Sequence, residues 1–223
     1  ASSMTAAEPA AGAKLGLPTM LSYGVGSVAF GISTQALSAA VLQLYFNQVI
    51  GLPAVWVGAA IMASLIVDAV MDPLIGRWSD NFRSRFGRRH PFMYASAGPT
   101  ALAFYFLWNP PHDLGVGAQF AFMIGMLIAV RLAVSLYEIP STALAPELAP
   151  DYDKRTTLLA YRYFFGIIGG ATITFLLYQV FLRQDAANPL GVLNPEGYAR
   201  FGSFAAVVMF VCILASTAAT HGR

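Results

Sequence analysis

Residues 54–80 read AVWVGAAIMASLIVDAVMDPLIGRWSD, and the fold is decided there. No charged residue occurs between Lys14 and Asp68, and then Asp68 and Asp72 appear four positions apart, followed at once by Pro73. An apolar run of this length is a membrane helix by its dimensions, since about 20 mostly apolar residues cross a bilayer. An ionised carboxylate in that helix costs about 2.5–3.5 kcal/mol. Residues four apart share a helical face, so two such charges also repel each other. The pair is tolerable when something positive sits between the two, which makes Asp68 and Asp72 candidate cation ligands inside a membrane protein.

The rest of the chain agrees. Of its 223 residues, 57% are hydrophobic and 11% charged, and the mean hydropathy is +0.61, whereas a soluble domain carries about 25% charge. A net charge of +2, dispersed over loops, argues against a nucleic-acid partner. The single cysteine, Cys212, excludes an internal disulfide and offers no metal-ligand spacing. The first dozen residues, ASSMTAAEPAAG, lack the basic start and apolar centre of a cleavable signal.

Six segments have the length and apolarity of spans: about 19–46, 54–78, 91–108, 116–142, 156–182 and 201–220. Residues 1–18 are expected to form a cytoplasmic amino-terminal tail, and 221–223 to begin a connection to a carboxy-terminal half outside this chain. Lys14, Arg77, Arg83, Arg85, Arg88, Arg89, Lys154, Arg155 and Arg223 fall on one side of the membrane, against Arg183 and Arg200 on the other. The crowded side is then cytoplasmic, with both ends of the chain on it. Expected is an all-α membrane protein, a six-helix bundle in the plasma (inner) membrane. Six helices resemble half of the twelve-helix transporters built from two such bundles.

Arg131, Ser135, Glu138 and Arg162 also lie within spans. At 1.5 Å per residue, Asp72, Glu138 and Arg162 sit at similar depths in the cytoplasmic half. Asp68 is one turn higher. Ser135 is close to a turn above Glu138, and Arg131 one turn further. A convergence of Asp68, Asp72, Glu138 and the Ser135 hydroxyl would suit Na+, a hard cation that takes oxygen ligands; a proton shared by crowded carboxylates is the rival. The bland alternative is that these acids and arginines simply pair to hold helices together. Arg131 is open between a substrate contact, a partner for an acid and a snorkelling side chain. Ser27, Thr34, Gln35 and Ser38 form a mildly polar stripe that lines a cavity or bonds between helices. Gly76, Asp80, Arg85, Gly87, Arg88 and Arg89 read either as a charge latch closing a gate or as a topology-setting basic loop. His90, His112 and His221 lack metal spacing and read as surface histidines. Gly166, Gly169 and Gly170 mark close helix packing.

With these residues in place the chain resembles the glycoside–pentoside–hexuronide:cation symporters, the melibiose-permease-like branch of the major facilitator superfamily. Residues 68–76, DAVMDPLIG, are similar to that family's second-helix cation motif, and 84–91, SRFGRRHP, to its basic loop. Tyr137-Glu138-Ile139-Pro140 resembles a fourth-helix segment that often has Asp before Ile-Pro, and 162–165, RYFF, resembles the fifth-helix arginine segment. The resemblance implies the amino-terminal half of that fold. It implies that Asp68, Asp72, Ser135 and Glu138 bind the coupling ion, Na+ or H+, and that Glu138 and Arg162 face substrate. Where sugar-binding members carry Lys-Asp in helix one, this chain has Ser27-Val28; their sugar-stacking tryptophan falls at Thr142, their Asp at Glu138 and their cation-site Thr at Ser135. The ion site thus looks intact and the sugar site rebuilt, with Arg131, Gln35 and Thr142 as further substrate candidates.

The functional expectation is a cation-coupled symporter of a glycoside, uronide or other small solute, without cofactor and without enzymatic activity. Its partners would be solute, lipid bilayer and the second six-helix half. Two rivals stand beside it. One is a non-transporting sensor or scaffold of the same fold. The other is a metal-dependent phosphatidyltransferase, faintly suggested by acids at 68, 72 and 80 with Gly76 between them.

Overall fold

The computed structural model describes residues 15–221. Residues 1–14 of the tail, with Lys14, and Gly222 and Arg223 lie outside the described residues. Within them the chain is helical, with no strand.

The first apolar segment is a broken rod: α1 (Leu17–Val25), α2 (Ser27–Ala36), α3 (Ala39–Leu42) and a π-helical turn over Gln43–Val49. Its two halves meet at 56°, because Ser38 takes an extended conformation, with φ −63° and ψ 150°, and interrupts the hydrogen-bond ladder. Next comes α4, 28 residues from Ala54 to Asn81, about 42 Å long at 1.5 Å per residue. It is followed by α5 (His90–Trp108), α6 (Val116–Ala143), the short α7 (Ala145–Leu148), α8 (Tyr152–Leu176) continued by a π-helical turn over Leu177–Phe181, and α9 (Pro195–Thr220).

Among the described residues, α4, α6 with α7, α8 with its π-turn, and α9 are long and apolar enough to cross a membrane, and the bent first rod adds one more. The remaining rod, α5, is not among them: it carries His90, Pro91, Tyr94, Pro99, Tyr105 and Trp108, and also the buried Ser96 and Thr100. Ser96 and Thr100 point inward between α6 and α9, the helices against which α5 packs, while Leu102 and Phe106 stay exposed.

The helices pack as a chain of pairs: α4 on α6, α6 on α5, α5 on α9, α9 on α1 and α2, and these on α8. At one end Tyr45, Phe104, Trp108, Tyr198 and Phe201 form a buried aromatic knot, with Trp108 stacked on Tyr198 at 5.9 Å. At the α2–α8 crossing a side chain at Gly31 would strike the carbonyl oxygen of Gly166; glycine lets the two backbones touch. The terminal helices of the series, α4 and α8, are the least covered, with 17% and 22% of their apolar windows buried against 44% for α9.

Candidate functional site

Parallel α4 and α6 form a polar seam. Arg131 Nε donates to Ser64 Oγ at 2.8 Å, and Ser135 Oγ donates to Asp68 Oδ1 at 3.1 Å. Both pairs are separated by 67 residues, so the register is constant. Continued by one turn, it sets Asp72 opposite Ile139. Ile139 also lies 3.6 Å from a Cβ added at Gly76, one turn further along α4, so its side chain packs over the Asp72–Gly76 turn.

This register decides which acids meet. Asp68 and Asp72 face one another along the seam together with Ser135 and Arg131. Glu138 precedes Ile139 and is therefore turned about 100° around α6, away from α4 and toward α8. Among the described residues, no group of three His, Cys, Asp or Glu side chains converges as a metal site. The expected joining of Asp68, Asp72 and Glu138 around one Na+ is thus not formed in this conformation. The spacing of Asp68, Asp72 and Asp80 does not gather into an enzyme-like acidic cluster either, since Asp80 is taken by Arg89.

The seam still fits a small cation through oxygens. Asp72 Oδ1 is buried without a hydrogen-bond partner, an orphaned acceptor of the kind native structures seldom keep idle. Pro73 has no N–H, so the carbonyl of Ala69 loses its usual intrahelical donor. Asp68, Asp72 and the Ser135 hydroxyl are hard donors that suit Na+.

Glu138 belongs to a second cluster. Arg162 is 4% exposed; its Nη2 lies 2.7 Å from Glu138 Oε1, and its Nη1 donates to Ser141 Oγ at 2.5 Å. Its Cζ stands 5.0 Å from the Tyr23 ring centroid, a distance at which an aromatic face attracts a cation. Tyr23 donates its hydroxyl to the Ser141 carbonyl at 2.6 Å, Tyr137 donates to Ser216 Oγ at 2.8 Å, and Ser216 donates to the Tyr23 carbonyl at 3.3 Å. The guanidinium is therefore held by side chains of α6 and α1, and Ser216 of α9 in turn holds Tyr137 and the Tyr23 backbone. Glu138 Oε2 remains buried and unpartnered.

This cluster closes one end of a cleft of about 210 Å³ between α2, α6 and α8, lined by Ser27, Phe30, Gln35, Glu138, Thr142 and Arg162 among others. Of the substrate candidates, Gln35, Glu138, Thr142 and Arg162 share this cleft. Arg131 does not; it stands in the α4–α6 seam. Tyr23, Tyr137, Ser141, Ser216 and Ser64 were not legible as site residues. The available signal was indirect: a buried arginine requires acceptors and a shaped socket.

The basic loop is tied down within the bundle. Arg89 donates to Asp80 Oδ1 at 2.8 Å, to the Ala143 carbonyl at 2.7 Å and to Glu147. Arg88 adds a 3.3 Å pair with Glu147. Gly87 adopts φ +95°, a conformation glycine takes without cost, and its carbonyl accepts from Ser84 Oγ at 2.8 Å. Arg85 lies over the Phe86 ring at 4.7 Å. Glu147, absent from the expected latch, is its main acceptor. His90 is not the surface residue expected: it is 8% exposed, its Nε2 lies 3.2 Å from Thr220 Oγ1, and its ring stacks on His221 at 5.0 Å. The end of α9 folds over it.

Half-buried charges on the seam, a cleft on the adjoining face and an all-α scaffold are consistent with a membrane bundle of the major facilitator type, here the amino-terminal half of that fold. The MFS/sugar transport protein family matches residues 22–223, and the chain belongs to that family. An uncharacterised symporter of Synechocystis is 36% identical over 170 residues, covering 74% of this chain and 31% of its own length. A sphingosine-1-phosphate transporter of Mus musculus is 30% identical, covering 72% and 33%. An isoprimeverose transporter of Lactiplantibacillus pentosus is 28% identical, covering 69% and 32%. The chain thus spans about a third of the length of these relatives. It is a multi-pass membrane protein whose relatives bear the names of transporters.

Proposed function

We propose that this chain is the ion-binding half of a cation-coupled symporter of a small, hydroxyl-rich solute. The observation that carries the reading is the buried, partnerless Asp72 Oδ1 beside Asp68 and Ser135. These three side chains seat the coupling ion, Na+ or a proton. Glu138 and Arg162, with Gln35 and Thr142, contact the solute in the cleft. At about 210 Å³ the cleft is smaller than the usual ligand site of about 300–1,000 Å³. It is one wall of a site that a second six-helix bundle completes, covering the exposed faces of α4 and α8. The basic end is cytoplasmic and the membrane is the plasma (inner) membrane. The halves rock about the site to alternate access, and ion binding selects the solute-binding conformation.

Solute class follows from the wall. Relatives named for isoprimeverose transport and glycoside/cation symport support a glycoside or uronide. A second reading, an amphipathic solute, is favoured by the exposed Phe30, Tyr163 and Ile167 beside the Arg162 end, and by a relative named for sphingosine-1-phosphate.

The test is uptake by the full-length protein in cells, driven by a sodium or a proton gradient, using radiolabelled glycosides and uronides. Asp72→Cys should abolish ion-driven accumulation and leave membrane insertion intact. Unchanged accumulation would contradict the seat. A response to pH without one to sodium would assign the proton.

A further inference from the structure

Arg131 is the charged intramembrane side chain that the reading above leaves unused. It is half-buried on α6, one turn along the seam from Ser135. Its Nε is held by Ser64 Oγ at 2.8 Å, and Ser64, 0% exposed, in turn donates to the Ile61 carbonyl at 2.7 Å. Among the described residues, no ion pair within 4.0 Å includes Arg131. The carboxylate in its field is Asp68. Ser64 thus holds the guanidinium near the acid pair but short of ligating it. Arg162 differs: it closes directly on its acid at 2.7 Å.

We infer that Arg131 is a tethered cation that sets the ion requirement of the Asp68–Asp72 seat. The inference rests on the proposed reading of that seat. Two carboxylates carry two negative charges. A guanidinium keeps its proton under all physiological conditions, so it contributes one fixed positive charge and leaves a single exchangeable cation to complete neutrality. Being anchored a turn away, it leaves Asp72 Oδ1 and the Ser135 hydroxyl open to that ion. Its field also opposes the ion: like charges a helical turn apart repel appreciably in a partly buried site. Arg131 therefore weakens cation binding to a level at which the ion can leave, and it fixes how much charge moves with each solute. It acts on the ion through space, as a specificity-setting residue and not as a ligand.

The experiment is a sodium titration of the thermal unfolding midpoint of the full-length protein in detergent, with choline chloride holding ionic strength constant. Arg131→Gln should lower the sodium concentration for half-maximal stabilisation by at least about tenfold, or create a sodium response where the unmodified protein has none. Arg131→Lys, which keeps the charge, should stay within about threefold of the unmodified protein. Should Arg131→Gln fail to fold, Arg131→Met keeps the aliphatic stem and carries the same expectation. A merely structural role would move the sodium-free midpoint and leave the half-saturation concentration alone. An unchanged or raised half-saturation concentration on loss of the charge overturns the inference, as does insensitivity to sodium in both proteins. Asp72→Asn separates the two levels. If the sodium response survives Asp72→Asn, the cation seat itself fails. If Asp72→Asn abolishes it and Arg131→Gln leaves it untouched, only the assignment to Arg131 fails.

Discussion

Glu138 and Asp72 are both intramembrane acids at similar depth, yet they meet different fates. Each keeps one buried oxygen without a hydrogen-bond partner, but Glu138 finds a guanidinium at 2.7 Å, while among the described residues no ion pair includes Asp72. The first is a compensated charge, so removing one member exposes the other. Arg162→Met should destabilise the bundle by about 3–5 kcal/mol, the range for breaking a buried pair from one side, measured by denaturant unfolding in detergent. Adding Glu138→Gln should recover part of the loss. Ser141→Ala should cost about 1–3 kcal/mol in the same assay, because Arg162 Nη1 then loses its acceptor. Depth along the membrane was legible for every one of these residues, since it needs only the rise per residue. Azimuth was not. One residue separates Glu138 from Ile139, and that step of about 100° moves an acid from one seam to the other.

At the level of helices, small residues decide how closely the rods approach. Gly31 faces the backbone of Gly166 and Gly170, neither of which can yield as a flexible side chain would. Gly31→Val should lower the unfolding midpoint markedly and cost at least about 1–3 kcal/mol. Gly125→Ala is the matched control, as nothing lies within 4 Å of a Cβ there, and it should leave the midpoint near that of the unmodified protein. The glycines of α8 were readable as packing positions. The break at Ser38 was not, because nothing in an apolar run announces an extended residue; it arises where the first rod turns to place Tyr45 and Phe46 in the aromatic knot. The burial of His90 escaped for a related reason. A histidine beside a proline in a basic loop looks solvated until α9 is seen to end over it.

Across the whole molecule, the seam and the cleft lie on adjoining faces of α6, and the brace around Arg89 ties the basic end of α4 to α6 and α7. Its ion pairs are partly exposed, where a single pair is worth about 0–1 kcal/mol, but Arg89 also satisfies a backbone carbonyl. Arg89→Ala should lower stability by about 1–3 kcal/mol at low salt. The difference should narrow in 1 M salt, where charges are screened beyond about 3 Å. On the proposed function α6 would be the element through which ion and solute sense each other, because Ser135 touches Asp68 and Glu138 lines the cleft less than one turn away. The claim beneath it is that a monovalent cation occupies the seam at Asp72. Equilibrium binding of radioactive sodium to the full-length protein, with proton exchange recorded in parallel, tests it most directly. The account predicts stoichiometric binding of one or the other cation that is lost in Asp72→Asn. Equal binding by the unmodified protein and the variant would contradict it.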